Sequence, residues 1–571
     1  MAIVEQVDPG VEHVSPPRAR RGRALLAAAL LLAVYGVLSV ANDPHGYLGT
    51  DTGGKVLTLQ AMEDRGSTTN LDVGYWAEEH DPEGRLHPYF GTGRIGVRWI
   101  QVTTVPMLLA ASPLYDLGGY RLALLLPMLG GVLVAAAARA LAQRFGADRA
   151  QAWWAFWLVG LAGPVVVYAL DLWEHTLGLA AMAWAVVLLA DARRSPVVGA
   201  ASRCAAGAGL LWGIGFSMRT ESLLYGATTT AAVLVAVVVA DRRLPRVLAM
   251  GAASALGVAV AVLANRALED QVLGGSLRAG RAGGAAGGAG AGLPQRLEEG
   301  LVTTIGLVSG AGPLELVLGA IGIVALGLVV FAGTRPEDDL LRSRLPLLAV
   351  VGSIPFVFIV LEGLDFVPSI FVASPFAIVG VVAGRNERTA PFWWAALGSL
   401  PVVWLFQYVG GADPQWGARY ALLSAFVLVV AGVVALPPLG SFVQRTFLAL
   451  AVGITAYGLV WVAVRTHGAA DAGRQLAGRP EPVLIAAGET GFVPREFVAD
   501  ASVKRWLAAD DRDELDDAVQ IVADVGYREF GIVELGGHRS DRSIAGFALV
   551  GVHPVPFLPG APLQVASYRA R

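Results

Sequence analysis

Residues 204–240 read CAAGAGLLWGIGFSMRTESLLYGATTTAAVLVAVVVA. As one helix this stretch would run about 55 Å, against a bilayer core about 30 Å thick, so it is too long for one pass and short for two. A hairpin resolves the mismatch. Segments 204–218 and 222–240 then cross, and the turn falls on Arg219, Thr220 and Glu221, recessed at or below the headgroups. Ionisable groups at that depth are costly and face a cavity or a partner.

Apolar runs of the same length recur from residue 24 to residue 464. Thirteen spans follow, near 24–41, 119–141, 151–170, 174–190, 204–218, 222–240, 247–265, 312–332, 345–361, 366–384, 391–410, 421–437 and 444–464. The stretch 98–115 is apolar but holds Pro106 and Pro113, and it reads as a helix lying along the outer surface. The expected architecture is an all-α polytopic membrane protein with a small C-terminal α/β domain. Composition agrees: of 571 residues, 55% are hydrophobic and only 16% charged, where soluble proteins carry about 25% charge. A net charge of −3 excludes a basic nucleic-acid binder. Cys204 is the sole cysteine, so no internal disulfide or cysteine-rich metal cluster can form. Lysine occurs only at positions 55 and 504, and this arginine bias with heavy Ala and Gly usage points to a GC-rich bacterial genome.

Short cytoplasmic loops carry the Lys/Arg excess. Arg18, Arg20, Arg21 and Arg23 place the tail 1–23 inside, and the alternate loops holding Arg144, Arg193, Arg242, Arg335, Arg385 and Arg445 agree. Thirteen spans then put residues 465–571 outside a bacterial plasma membrane, with a long first outer loop at 42–118. The Gly-rich run 279–292 reads as an outer linker. In the tail, 482–487 and 547–552 read as strands and 508–525 as an acidic helix.

Once oriented, the unusual charges share one face. Asp51 opens GTDTGGKVLTLQAM, where a helix starting near Thr52 would put Asp51 and Lys55 on one side; Asp51 reads either as a functional acid or as the helix N-cap. Asp171, Glu174 and His175 occupy a tight turn between spans, suited to capping, to acid–base chemistry or to a hard divalent metal; no other cofactor is indicated. Arg219 and Glu221 occupy the recessed turn. In QWGARY, Arg419 stands beside Trp416 and Tyr420 at a span edge, where a planar guanidinium suits a lipid phosphate.

Together these features resemble the GT-C superfamily of polyprenyl-phosphate-sugar-dependent glycosyltransferases, in the bacterial and actinobacterial branch similar to protein O-mannosyltransferases and lipid A aminoarabinose transferases. The resemblance covers residues 24–464 and rests on GTD51TGGKVLTLQAM, GFSMR219TE221SLLYG and QWGAR419Y. Its early loop commonly reads Asp-Glu; here Asp51 is followed by Thr52, and Asp171 or Glu174 stands as the alternative second acid. The resemblance implies a GT-C-like fold and inverting transfer of a sugar from a polyprenyl phosphate to a glycan, lipid or protein hydroxyl of the cell envelope. Asp51, Asp171 and Glu174 are then the catalytic candidates. Lys55, His175, Arg219, Glu221, Trp416, Arg419 and Tyr420 form the substrate-binding set. The rival readings are a transporter or flippase of lipid-linked sugar or a small solute, with ionisable groups near mid-span, and a non-catalytic assembly protein, with dispersed, solvated acids.

Overall fold

The computed structural model describes residues 17–101, 104–275, 292–310, 312–335, 337–407, 415–536, 543–558 and 561–571. In chain order the helical part comprises α1 (Pro17–Ser39), α2 (Thr50–Asp64), a hairpin of β1 (Thr92–Ile95) and β2 (Arg98–Gln101), α3 (Val105–Ala123), α4 (Leu125–Phe145), α5 (Arg149–Leu161), α6 (Pro164–Ala169), α7 (His175–Arg194), α8 (Val198–Met218), α9 (Ser222–Asp241) and α10 (Leu244–Leu273). It continues with α11 (Leu293–Ile305), α12 (Pro313–Gly333), α13 (Asp339–Glu362), α14 (Ile370–Ala373), α15 (Phe376–Ala383), α16 (Ala390–Gln407), α17 (Leu422–Ala435) and α18 (Ser441–Ala477).

Among the described residues eight helices are long and apolar enough to cross a membrane: α1, α4, α7, α9, α10, α12, α13 and α18. Their outward faces carry bare Leu25, Val37, Val239 and Leu361, side chains that only lipid would cover. The chain is therefore a polytopic helical membrane protein. Helix α7 sits at the centre, 78% of its apolar window being buried against 22% for α1 and α13.

Several expected spans take another form. The run 151–170 is two helices, α5 and α6, because Gly163 adopts φ +81° and Pro164 cannot donate to a continuing helix. The run 366–384 is likewise interrupted at Ser374 and Pro375, between α14 and α15. The surface helix expected at 98–115 starts only at Val105, with Pro106 in its first turn where the missing N–H costs nothing; residues 98–101 are a strand paired antiparallel with β1. The last span does not stop at 464, because α18 continues unbroken to Ala477, past the expected domain boundary. The Gly-rich linker lies, save Gly292, outside the described residues.

The C-terminal domain is a five-stranded sheet in the order β4-β3-β5-β7-β6, with β3 (Val483–Ala487) parallel to both β4 (Arg505–Ala509) and β5 (Glu529–Leu535), while β6 (Phe547–Leu558) and β7 (Ala561–Ala570) are antiparallel. Short helices α19 (Val493–Glu496) and α20 (Val498–Ala501) follow β3. Helix α21 (Arg512–Asp524) is capped by the Asp511 side chain, which accepts from the Glu514 amide at 2.9 Å. The helix expected from residue 508 thus begins later, residues 505–509 being strand. This domain packs directly on the bundle. Buried Glu496 pairs with Arg465 of α18 at 2.5 Å, and α19 lies against α2. That approach requires Gly53, where a Cβ would stand 1.8 Å from the Arg495 carbonyl oxygen.

Candidate active site

The starts of α7 and α9, the end of α8, the loop before α17 and the first turns of α2 meet where α19 docks. Helix α2 begins at Thr50 with Gly49 as its N-cap and no side-chain cap, so Asp51 is not the capping residue and its carboxylate is directed elsewhere. One oxygen lies 3.3 Å from Nη1 of Arg419 and the other 3.4 Å from Nη2 of Arg495. Both separations sit at the long end of the ion-pair range, a geometry that permits partners to be exchanged. Burial raises the Asp51 pKa, but Arg419, Arg495 and Lys55 outweigh it and hold the carboxyl below its ordinary value.

Lys55 shares the Asp51 face, donating from Nζ to the Asp51 backbone carbonyl at 3.1 Å, yet its ionic partner is Glu174 Oε2 at 2.8 Å. Glu174 stands at the N-cap of α7 without capping it and turns its other oxygen to Arg219 Nη1 at 3.3 Å. Burial opposes ionisation of Glu174, and Lys55 with Arg219 reverses this, lowering its pKa to about 2. Arg219 also binds Glu221 Oε1 through Nε at 2.9 Å and approaches Nε2 of His175 at 3.1 Å. An arginine can only donate, so His175 accepts at Nε2 and is a neutral imidazole. Its ring stacks on Tyr168, centroids 4.4 Å apart.

Tyr420 joins the two halves of the network, its ring centre lying 4.9 Å from the guanidinium carbons of both Arg219 and Arg419. Four cations (Lys55, Arg219, Arg419, Arg495) thus face three carboxylates (Asp51, Glu174, Glu221). Arg219 Nη2 and Arg419 Nε are buried and find no hydrogen-bond partner among the described residues. Side-chain exposure is 4–9% for the four cations and 38% for Asp51, which makes Asp51 the open edge of the cluster. An excess of buried cations with unspent donors beside an accessible carboxylate can take up an anionic group and a proton side by side.

Eight of the residues singled out from sequence meet here: Asp51, Lys55, Glu174, His175, Arg219, Glu221, Arg419 and Tyr420. Two stand apart. Asp171 is buried and receives the Thr52 hydroxyl at 2.7 Å, the Leu48 amide at 3.3 Å and the Tyr120 hydroxyl, so it anchors the start of α2. Trp416 is fully buried, its carbonyl accepting from Tyr168 at 2.7 Å and its ring stacked on Tyr457, away from Arg419. Asp171, Glu174 and His175 do not converge, and no group of three metal-ligating side chains occurs among the described residues. Arg495 is the residue that sequence reading missed. Its only signal was an Arg-Glu pair set in the apolar frame FVPREFV of the tail.

No protein-family model and no curated protein matches the chain. Among solved structures it aligns with ArnT from Cupriavidus metallidurans in the apo state at 15% identity, covering 96% of this chain and 98% of that one with a TM-score of 0.45. The same ArnT bound to undecaprenyl phosphate aligns at 16% identity over 95% and 98%, TM-score 0.42. The archaeal oligosaccharyltransferase AglB from Archaeoglobus fulgidus, in complex with an inhibitory peptide and a dolichol-phosphate, aligns at 12% identity over 88% and 69%, TM-score 0.44. At such TM-scores the likeness decides neither fold nor function for this chain.

Proposed function

We propose that the protein is an inverting membrane glycosyltransferase that moves a sugar from a polyprenyl-phosphate donor to a hydroxyl of a cell-envelope acceptor, at the outer face of a bacterial plasma membrane. The observation that carries this reading is the accessible Asp51 carboxylate set against buried arginines with unspent donors, at one end of a lipid-facing helical bundle. The donor phosphate lies against Arg219 and Arg419, accepting from Arg219 Nη2 and Arg419 Nε, the buried donors left without a partner among the described residues. The acceptor oxygen attacks the anomeric carbon, the bond from that carbon to the phosphate oxygen breaks, and its electron pair leaves on the phosphate. The acceptor proton passes to Asp51. Negative charge grows on the departing phosphate, and cations already in place need no reorganisation to stabilise it.

Lys55 and Glu174 tie α2 to α7 and so keep Asp51 in register with the arginines. Arg495 brings the C-terminal domain into the same site. A transporter would instead use ionisable groups near mid-span; this cluster stands at helix ends. The test is incubation of the purified protein in nanodiscs with radiolabelled polyprenyl-phosphate sugars and envelope extract. Label should move to an acceptor with wild type and not with Asp51→Asn. Label that stays with the lipid across a panel of donor sugars would overturn the reading.

A further inference from the structure

At the other end of α7 and α8 three arginines are consumed by the fold. Arg144 pairs with Asp191 at 2.6 Å, Arg193 donates to the carbonyls of Glu387 and Arg388, and Arg246 donates to those of Ala192, Arg193 and Ser195. Arg23, Arg139 and Arg149 differ. Among the described residues none of them has a carboxylate within ion-pair range, although Arg139 and Arg149 are close enough to repel each other. Arg139 lies over the Trp153 ring at 4.3 Å, and its Nε is buried without a hydrogen-bond partner among those residues.

Arg23 and Arg149 rim one groove of about 560 Å³ between α1 and α5, lined also by Leu26, Leu30, Trp153 and Trp157, and Arg139 stands behind it on the Trp153 ring. Arg23 stands at the start of the apolar part of α1 and Arg149 opens α5, so the charges lie at headgroup depth. Leu30 is seven residues further along α1, about 10 Å deeper at 1.5 Å per residue, which places the apolar wall at acyl-chain depth. We infer that this groove binds one anionic phospholipid, its phosphate held by Arg23 and Arg149, with Arg139 adding its charge from behind Trp153, and its acyl chain against Leu26, Leu30 and Trp157. Charge complementarity selects the occupant: a zwitterionic headgroup would bring its own cation among unpaired arginines.

The test uses the full chain in detergent, titrated with short-chain phosphatidylglycerol or with phosphatidylcholine of the same chains, and reads thermal stability and lipid retention by native mass spectrometry. Phosphatidylglycerol should bind more tightly than phosphatidylcholine. A basic residue near anionic lipid is worth roughly a five-fold preference, so Arg23→Gln with Arg149→Gln should erase about 25-fold. Arg342→Gln, an exposed arginine elsewhere, should erase none. Should the double glutamine variant not fold, Arg23→Lys with Arg149→Lys keeps the charge and should retain most of the preference. Equal binding of the two lipids by wild type, or an undiminished preference in the glutamine variant, would overturn the inference. So would two other results: glycerol phosphate matching the lipid, or a preference gained only on deleting residues 1–16, which would make the chain's own acidic N-terminus the occupant.

Discussion

Asp51 is held by two arginines, and removing its charge should separate chemistry from binding. Asp51→Asn keeps the shape and loses the basicity, so single-turnover transfer should fall about 100- to 10,000-fold while donor affinity is retained. Arg219→Ala and Arg419→Ala should weaken donor binding together with rate, because a phosphate is charged in both ground and transition states. Lysine at either position should rescue only in part. Near-wild-type turnover by Asp51→Asn would remove Asp51 as the base. The pH profile tests the neighbour contributed by the tail. Arg495 helps to hold the Asp51 pKa below its ordinary value, so Arg495→Gln should move the acid limb of kcat/KM to higher pH, and an unmoved limb would deny the electrostatic coupling. Glu174 extends the argument to stability. With its pKa lowered to about 2 in the folded protein, its ion pairs contribute fully above the ordinary Glu value near 4.3 and are lost as pH falls toward 2. Glu174→Gln should therefore destabilise the protein at neutral pH, by roughly 3–5 kcal/mol for a broken buried pair, and flatten the decline of Tm below about pH 4. The recessed Arg219 and Glu221 were legible in the sequence because charge is so costly at that depth. Arg419 was legible through its aromatic neighbour. Arg495 was not: its contact with Asp51 spans 444 positions of sequence, and no local pattern announces it.

At the scale of elements, α2 is the hinge of the site, and its glycines set how closely α19 approaches. A side chain at Gly53 would collide with the backbone of Arg495. Gly53→Val should lift the C-terminal domain from α2, seen as faster proteolysis between α18 and β3 and as a loss of transfer comparable with that of Arg495→Gln. Gly93→Ala, where a Cβ meets open space, should change neither. Strand β3, buried along its whole length, was legible at 482–487 as an apolar run despite showing no alternation, whereas the end of β4 was absorbed into the helix that follows it. The hairpin β1–β2 was hidden because Arg98–Gln101 reads RWIQ without alternation, and the apolar composition of 98–115 merged it with the helix that follows. The amphipathic α21, with Leu515, Ala518, Val519 and Val522 buried along one face, was readable at once.

Across the whole molecule the two ends of the bundle differ in kind, one carrying the ionic cluster and the sheet domain, the other the rim of unpaired arginines. A reporter fused after Arg571 should be active only outside the cytoplasm and one inserted after Arg194 only inside; a cytoplasmic C-terminus would overturn the orientation. Membrane character was plain in the composition. The number of passes was not, because broken helices such as α5–α6 and α14–α15 look continuous in an apolar run. The three charged groups around the open edge come from three remote stretches of chain: Asp51 from the first turn of α2, Arg419 from before α17 and Arg495 from beyond α18. A polypeptide that stops short of Arg495 therefore holds no assembled centre. Under the proposed function such late assembly is a safeguard, since an unfinished copy could not squander donor by handing its sugar to water.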